Sequence, residues 1–237
     1  MTDQSREKFK IYKNVFDEFT LKTIFKLKEH FDELIIPIRI GKESNIFLAE
    51  TKDKEHIIVK IYRLASCNFN KMYSYIKSDP RFMSIKNRRR SVIFRWVQRE
   101  YRNLLIARER INVPKPITFL NNVLVMESIG GDSPASQLKD QWPANPEEFA
   151  KKTILFIREL AALGLVHGDL SEFNILNYNQ KPYFIDFSQG TSMDDPNATE
   201  YLKRDLENIS RFFKKLKVNI NPEKELAYIQ KKKQLNT

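Results

Sequence analysis

The sequence has very little cysteine, no long apolar run and few glycines. Cys67 is the single cysteine among 237 residues, which excludes a disulfide framework and a metal site built from several thiolates. No apolar run approaches the roughly 18–20 residues that span a bilayer. Residues 1–4 are followed by charged residues instead of the apolar core of a secretory signal. We therefore expect a cytoplasmic protein with no membrane partner.

The six glycines form neither G-x-G-x-x-G nor G-x-x-x-x-G-K-[ST], the two common phosphate-binding fingerprints. The chain is instead rich in positive charge, with a formal net charge of +11 and a pI of about 9.6. This charge implies an anionic partner, with RNA or a nucleotide ahead of a membrane surface. The alternative is a solvated, lysine-rich surface.

Two short motifs in the second half of the chain carry the chemistry. Asp169 lies in the run HGDLSEFN at 167–174, which predicts a carboxylate on a tight loop with the Asn174 amide five positions later. Asp186 closes a short apolar strand shortly afterwards. Phosphoryl transfer from a magnesium nucleotide needs one carboxylate at the attacking oxygen, and an amide and a carboxylate on Mg²⁺. A plain turn and an ordinary strand end are the alternative.

Two charged residues upstream lie in apolar surroundings. Lys60 falls inside a β-rich run at 57–62, and a lysine there needs an anionic partner, either a carboxylate or a phosphate. Glu100 lies on the apolar face of a helix predicted at 91–110, whereas Glu109 lies between two arginines and is expected to be solvated. The pair resembles the Lys–Glu pair that aligns ATP phosphates in protein kinases. A structural ion pair without a nucleotide is the alternative.

Two further stretches fit a nucleotide site without establishing one. The turn at 41–45 contains Gly41, Lys42, Ser44 and Asn45, and its main-chain N–H groups can face phosphates, although an ordinary hairpin turn looks the same. An apolar run at 123–126 leads into Glu127 and Ile129. Their free main-chain groups would suit an adenine edge at a hinge between two lobes, and a plain strand end is the alternative.

The remaining segments indicate the organisation of the chain. Helical spacing of Ile24, Leu27 and Phe31 predicts short amphipathic helices that end before Pro37. Residues 64–90 are unusually long for a connection and interleave basic with aromatic residues, which suits RNA or a solvated, mobile loop. Polar turns at 52–55 and 179–181 predict two hairpins. A helix should begin after the N-cap Asn145. A last helix should span about 198–217 with Leu202, Leu206, Ile209 and Phe213 inward, followed by a frayed basic tail at 231–233.

These motifs together resemble the RIO family of atypical protein kinases, and within it the type-one subfamily in its archaeal form. The resemblance runs from about residue 36 to 218. It is carried by HGDLSEFN at 167–174 and IDFSQ at 185–189, with support from four further runs, GKESN at 41–45, KIYR at 60–63, REYRNL at 99–104 and VPKP at 113–116.

The resemblance implies a trimmed, two-lobed α+β kinase fold that binds ATP with Mg²⁺, for which Mn²⁺ can substitute. Its parts would be a helical extension at 1–37, a β-rich lobe at 38–126 with a basic flexible loop at 64–90, and a hinge with a helical lobe at 127–237. By this resemblance Asp169 would be the catalytic base, and Asn174 and Asp186 would be the metal ligands. Lys60 and Glu100 would form the phosphate-positioning pair. The phosphate turn would consist of Gly41, Lys42, Ser44 and Asn45, and the hinge of Glu127 and Ile129.

The family biology implied is serine autophosphorylation, with action in late maturation of the small ribosomal subunit and its rRNA. Some members are thought to work mainly as ATPases through the second carboxylate, here Asp186. Typical protein kinases carry an arginine and a lysine where this loop has Gly168 and Ser171, so one cation near the transferred phosphoryl is missing and we expect slow turnover. Only about ten residues separate Asp186 from the last predicted helix, which leaves no room for a usual activation segment.

Two other functions remain open at this point. A small-molecule phosphotransferase of the aminoglycoside- or choline-kinase type shares His-Gly-Asp and a later Ile-Asp, but such enzymes generally add an acidic insert. An RNA-associated assembly factor that uses ATP binding as a switch would fit the net charge of +11.

Overall fold

The structure is a computed structural model that describes residues 16–82, 88–131 and 133–235. A five-stranded antiparallel sheet with strand order β1-β2-β3-β5-β4 forms the first part of the chain. Its strands are β1 (Glu33–Ile40), β2 (Ser44–Glu50), β3 (His56–Tyr62), β4 (Pro116–Leu120) and β5 (Val123–Glu127). Its helices are α1 (Glu18–Lys26), α2 (Phe69–Ser78) and α3 (Arg89–Ala107), with a 3₁₀ turn at Pro80–Phe82.

The second part of the chain is mainly helical. It contains α4 (Pro146–Ala162), α5 (Ala198–Lys215) and α6 (Pro222–Leu235). Between α4 and α5 lie two small strand pairs and one 3₁₀ turn, namely β6 (Leu165–Val166) with β9 (Thr191–Ser192), β7 (Ile175–Tyr178) with β8 (Lys181–Phe184), and Phe187–Gln189. In the described part of the chain, no helix is both long and apolar enough to cross a membrane.

The two faces of the sheet contribute to different apolar clusters. Strand residues alternate between faces, so Val123 and Val125 of β5 join the cluster under α1, whereas Leu124 and Met126 join the larger cluster that runs through α3 into the helical part. The central strands of the sheet are therefore buried on both sides, and the second face is continuous with the core that carries α4 and α5.

Several sequence-based predictions are confirmed. Antiparallel β2 and β3 form the expected hairpin. Asn145 caps α4 by accepting a hydrogen bond from the Glu148 N–H at 3.1 Å. Asn179 and Gln180 form the turn between β7 and β8 with φ values of 51° and 59°. The apolar face predicted for α5 is buried at Leu202, Leu206, Ile209 and Phe213.

The expected helical extension up to Pro37 needs correction. Helix α1 ends at Lys26, and β1 begins at Glu33 and includes Pro37. A proline is tolerated there because β1 is an edge strand, where a missing N–H breaks no ladder bond on the open side. Ile24, Leu27 and Phe31 are buried as predicted. The predictions for residues 1–15 lie outside the described residues.

The predicted flexible loop at 64–90 also needs correction, because α2 occupies its middle. Asn68 caps this helix by accepting the Lys71 N–H at 3.2 Å, and Met72 and Ile76, one turn apart, are buried beneath it. Residues 83–87 lie outside the described residues, and α3 begins at Arg89, slightly earlier than predicted.

The tail expected to be frayed belongs to helix α6. Its Glu225 accepts from Arg158 of α4 at 2.6 Å, and Ile229 is buried. The ion pair attaches α6 to α4, and the burial of Ile229 joins α6 to the large apolar cluster, whereas the sequence pattern indicated only a basic tail.

Candidate active site

Lys60 of β3 and Glu100 of α3 form the predicted pair. The Lys60 ammonium donates to Glu100 Oε1 at 2.7 Å, and the two residues are only 3% and 1% exposed. The same ammonium also donates to Asp186 Oδ1 at 2.8 Å. Burial opposes the charge on Lys60, but the Asp186 and Glu100 carboxylates outweigh it and raise the pKa of Lys60 well above its ordinary value. The lysine is therefore a permanent cation that links the sheet to the helical part.

Tyr62 is a part of this site that was not predicted. Its hydroxyl donates to Glu100 Oε2 at 2.5 Å, so both oxygens of the buried carboxylate are satisfied. Tyr62 lies two residues after Lys60 on β3 and therefore on the same face of the strand. This spacing was available in the sequence as a signal.

Asp186 has an unusual backbone. Its φ and ψ are 62° and 64°, in the left-handed region, at the point where the chain leaves β8 and enters the 3₁₀ turn at Phe187–Gln189. Ser188 Oγ donates to Asp186 Oδ1 at 2.7 Å. Partial burial would raise the pKa of Asp186, but the charge of Lys60 and the hydrogen bonds from Lys60 and Ser188 lower it to about 2. Asp186 is therefore ionised at neutral pH.

The segment after Asp186 is held by two buried side chains of α3. Arg99 donates to the main-chain oxygens of Gly190 at 2.7 Å and Gln189 at 3.0 Å. Asn103 donates to those of Phe187 at 3.0 Å and Gly190 at 2.8 Å. Burial lowers the pKa of Arg99 to about 10, which leaves it charged. Helix α3 thus positions the turn that follows Asp186 as well as Glu100.

The loop that carries Asp169 begins at His167, which is buried. Its Nε2 lies 3.0 Å from the Ile185 oxygen, and burial lowers the pKa of His167 to about 4, so the imidazole is neutral. Gly168 has φ +78°, and a Cβ there would lie 2.9 Å from the Gln189 main-chain oxygen. Glycine is therefore needed here both for the backbone and for the close approach.

Asp205 of α5 anchors this loop and was not predicted. Its two oxygens each accept a main-chain N–H at 2.8 Å, one from Gly168 and one from Leu170. Burial raises the pKa of Asp205 to about 7, although these two hydrogen bonds act to lower it. Arg204 donates to the Gly168 oxygen and Asn208 to the Leu170 oxygen at 3.2 Å. The available signal was a carboxylate on an otherwise apolar helix face, the same signal that identified Glu100.

Asp169 and Asn174 lie together on this loop. The side-chain nitrogen of Asn174 donates to the Asp169 main-chain oxygen at 2.8 Å. The main-chain oxygen of Asn174 accepts a hydrogen bond from the N–H of Ile185, the residue before Asp186. Burial and the nearby Asp186 carboxylate raise the pKa of Asp169, while Lys71 and Arg204 act in the opposite direction. The three predicted residues therefore converge.

The donor atoms present fit a magnesium ion. In residues 16–82, 88–131 and 133–235, no group of three or more His, Cys, Asp and Glu residues forms a metal cluster. Mg²⁺ needs less, because it keeps several waters and takes one or two protein oxygens plus phosphate oxygens. Asp186 offers an ionised carboxylate, and Asn174 offers its side-chain oxygen because the amide nitrogen is already bound to Asp169.

The turn at 41–45 joins β1 to β2. The Gly41 N–H donates to the Ser44 oxygen at 3.0 Å, and a Cβ on Gly41 would lie 2.9 Å from that oxygen. Ser66 Oγ donates to the Lys42 main-chain oxygen at 2.8 Å, which ties the turn to the chain after β3. The buried side-chain oxygen of Asn45 has no partner within the described residues. Contact of this turn with phosphate stays a prediction.

The hinge prediction needs a partial correction. The Glu127 N–H donates to the Lys115 oxygen at 2.9 Å, and the Ile129 oxygen accepts from the Ala135 N–H at 2.7 Å. These two main-chain groups are therefore not free. The Glu127 carbonyl and the Ile129 N–H are the groups on which adenine recognition would depend.

The basic residues at 88–90 are exposed at the start of α3. Arg89 donates to the Ala65 oxygen at 2.5 Å, and the Arg90 guanidinium lies 4.8 Å from the centre of the Phe19 ring. These contacts fix the start of α3 against the loop after β3 and against α1. A role in RNA binding stays a prediction.

The chain is similar to known proteins over most of its length. A family model described as the RIO domain matches residues 45–226. A RIO-type serine/threonine-protein kinase Rio1 from Methanocaldococcus jannaschii is 42% identical over 227 residues, covering 94% of this chain and 78% of the relative. Its counterpart from Haloferax volcanii is 39% identical over 213 residues, covering 88% and 73%.

A solved structure has a similar fold. The Rio2 kinase from Chaetomium thermophilum, crystallised as an ADP/Mg²⁺-phosphoaspartate complex, superposes with a TM-score of 0.64 at 26% identity. The match covers 86% of this chain and 64% of that one. The fold predicted from the sequence, an α+β kinase-like fold with a β-rich first lobe and a helical second lobe, is confirmed.

Proposed function

The chain belongs to the RIO family, and on that premise we propose that it is a serine/threonine protein kinase that transfers a phosphoryl group from ATP with Mg²⁺. The observation that supports this most directly is the position of Lys60. It joins Glu100 of α3 to Asp186 of the second lobe within 2.8 Å. A buried cation held between two carboxylates at the junction of two lobes is the arrangement that phosphoryl transfer uses to position phosphates and metal together.

Each site residue then has a role. Asp169 orients or deprotonates the attacking oxygen, and Asn174 and Asp186 hold the magnesium ion. Lys60, kept in place by Glu100, binds phosphate oxygens. Bound Mg-ATP would supply the phosphoryl group and the metal charge that neutralises it. The ADP and Mg²⁺ of the Chaetomium Rio2 structure support this assignment of cofactors, and Mn²⁺ is a candidate substitute.

The adenine and phosphate contacts of ATP are assigned to the first lobe and the hinge. The turn at 41–45 would face the phosphates, and the Glu127 carbonyl and Ile129 N–H would face the adenine edge. The Arg63 N–H donates to the Glu43 main-chain oxygen at 2.9 Å, which ties the turn to the end of β3, the strand that carries Lys60, and supports this placement.

The acceptor is proposed to be a serine of the chain itself or of a protein presented by a larger assembly. The chain between Asp186 and α5 contains only a 3₁₀ turn and the two residues of β9, so an extended peptide has little to dock on. Hydrolysis of ATP through a carboxylate is a second activity of the same site, supported by the phosphoaspartate of the Chaetomium relative. Action in small ribosomal subunit maturation is supported by the net charge of +11.

An RNA-associated assembly factor switched by ATP binding is the second candidate function, favoured by the exposed basic residues at 88–90. A small-molecule phosphotransferase is disfavoured by the match to the RIO family model over residues 45–226.

The test is Mg-dependent phosphate release and mass spectrometry after incubation with Mg-ATP. Asp186→Ala should abolish both phosphate release and any phosphate on serine, because it removes a metal ligand. Asp53→Ala, at an exposed carboxylate in the β2–β3 turn, is the matched control and should behave like the wild type. Wild-type activity in Asp186→Ala would refute the assignment. Asp169→Ala distinguishes the two candidate functions. If this variant still binds ribosomes but no longer releases phosphate, ribosome binding does not depend on phosphoryl transfer.

A further inference from the structure

Helix α2 lies between β3 and α3 in the chain, but it contacts the second lobe. The Tyr75 ring stacks on Tyr201 of α5 with centroids 5.2 Å apart and an interplanar angle of 14°. At the end of the helix, Ser78 Oγ donates to Asp195 Oδ2 at 2.9 Å, and Asp195 is buried. The stack and the hydrogen bond place α2 across the two lobes, beside the loop that carries Asp169.

Lys71 lies one turn before Tyr75 on the same face of α2. Its ammonium is 5.9 Å from the centre of the Tyr75 ring. The Tyr75 hydroxyl is 3.5 Å from Arg204 Nη2, and the same nitrogen donates to the oxygen of Gly168, the residue before Asp169. Lys71 is therefore linked through Tyr75 and Arg204 to the residue before Asp169, and its charge acts on the Asp169 carboxylate.

The catalytic loop at 167–174 carries no lysine or arginine of its own. Ser171 stands where typical protein kinases carry a lysine, so the loop itself brings no positive charge to the transferred phosphoryl group. Arg204 is the other cation that acts on Asp169, but it is engaged by the Gly168 main-chain oxygen. Lys71 is exposed, and its ammonium lies beside the Tyr75 ring, on the side of α2 that contacts α5.

We propose that Lys71 of α2 supplies, from the first lobe, the positive charge at the transferred phosphoryl group that Ser171 does not provide. This inference rests on the proposed kinase function and names an additional catalytic residue for it. A cation carried by a separate helix can act only while α2 is docked on α5, whereas a lysine on the loop would always be present. Slow turnover is a consequence of this arrangement.

The test compares four variants with the wild type, namely Lys71→Met, Lys71→Arg, Lys77→Met and the double variant Lys71→Met/Ser171→Lys. Lys77 is the matched control because it is an exposed lysine on the same helix but on a different face. Calorimetry measures the affinity for Mg-ADP and for Mg-ADP with aluminium fluoride, which mimics the transferring phosphoryl group. ATP turnover and the thermal midpoint of the ligand-free protein are measured alongside.

We expect Lys71→Met to weaken the aluminium fluoride complex about tenfold and to slow turnover by a similar factor, with unchanged Mg-ADP affinity and thermal midpoint. A tenfold effect is smaller than the roughly hundredfold loss typical of a buried, preorganised donor, because Lys71 is exposed to solvent. Lys71→Arg should keep the wild-type affinity, and Ser171→Lys should restore it in the Lys71→Met background.

Wild-type affinity for the aluminium fluoride complex in Lys71→Met would overturn this proposal, and so would an equal loss in Lys77→Met. In either case a wild type that still turns over ATP leaves the proposed function intact. A wild type that binds neither Mg-ADP nor the aluminium fluoride complex would overturn both. Failure of Ser171→Lys to restore affinity would show that the charge is not interchangeable between the two positions and would also overturn the proposal.

Discussion

Removal of the Lys60 ammonium should damage stability and activity for separate reasons, and these can be measured separately. In Lys60→Met the Glu100 carboxylate stays 1% exposed and loses its cation. Breaking a buried ion pair by removing one partner costs roughly 3–5 kcal/mol. The Tyr62 hydroxyl still donates to Glu100, so we expect the lower end of that range, about 3 kcal/mol of unfolding free energy.

For a chain of this size, a loss of about 3 kcal/mol corresponds to a decrease of roughly 6–12 °C in the melting temperature. The loss should also depend on pH. Burial already raises the pKa of Glu100, and without Lys60 nothing of comparable size opposes burial. Since the folded-state pKa then lies above the unfolded one, the folded protein gains a proton as the pH falls, and the destabilisation should shrink on acidification.

The double variant Lys60→Met/Glu100→Gln tests this explanation. It removes the unpaired charge and should recover most of the unfolding free energy, but it should not recover phosphoryl transfer because no cation remains. Lys54→Met, which breaks the exposed pair between Lys54 and Glu50, is the control and should leave stability unchanged. Urea unfolding at two pH values gives the free energies. A double variant no more stable than Lys60→Met would refute the argument.

Three further predictions concern the loop, its histidine and the basic segment. Gly168→Ala should lower stability and activity, because φ is +78° and the new Cβ would lie 2.9 Å from the Gln189 oxygen. Burial lowers the pKa of His167 to about 4 from 6.5, so the unfolded chain protonates first and stability should fall between these pH values as the pH decreases. The variant His167→Asn should lack that part of the pH dependence in chemical unfolding. Charge reversal at 88–90 should weaken RNA association measured by filter binding, and most strongly at low salt.

Each of these has a matched control. Gly164 has a φ of +75°, similar to that of Gly168, but a Cβ added there would meet no atom within 4 Å. Gly164→Ala therefore measures the cost of backbone strain without the close contact that a Cβ makes at position 168. An equal stability loss in the two alanine variants would contradict the contact argument. If the stability of His167→Asn depends on pH as strongly as that of the wild type, groups other than His167 cause the dependence. Charge reversal of the exposed Lys231 and Lys232 is the comparison for RNA, and equal weakening there would indicate a non-specific charge effect.

The sequence was sufficient for the parts of the site that lie in recognisable local patterns. Lys60 and Glu100 were identified because charged residues interrupted apolar strand and helix patterns, and the predicted ion pair is 2.7 Å long. The helix cap at Asn145 and the turn at Asn179 follow from local backbone chemistry and were also predictable. Local signals of this kind depend on a few neighbouring residues.

Contacts between distant segments were not predictable in the same way. Asp205 carries the same local signal as Glu100, but its partners are main-chain N–H groups of a loop about 35 residues earlier, and main-chain atoms leave no mark on the sequence. Helix α2 was missed because its buried face consists of only Met72 and Ile76, too short a pattern to outweigh the basic and polar residues around it. Tertiary packing decides both cases.

The backbone at Asp186 supports the location of the site independently of any motif. Six non-glycine residues in the described part of the chain have positive φ, and five of them lie in tight turns or directly after a helix, namely Lys54, Asn121, Asn179, Gln180 and Lys217. Asp186 instead lies just after β8, beyond the buried Phe184, where a left-handed residue costs about 1 kcal/mol or more and persists only if the surroundings impose it. Three contacts impose this conformation. Lys60 and Ser188 donate hydrogen bonds to the Asp186 carboxylate, and Arg99 donates to a main-chain oxygen of the following turn. Strain of this kind at an ionised, partly exposed carboxylate is expected where function, and not folding, determines the conformation.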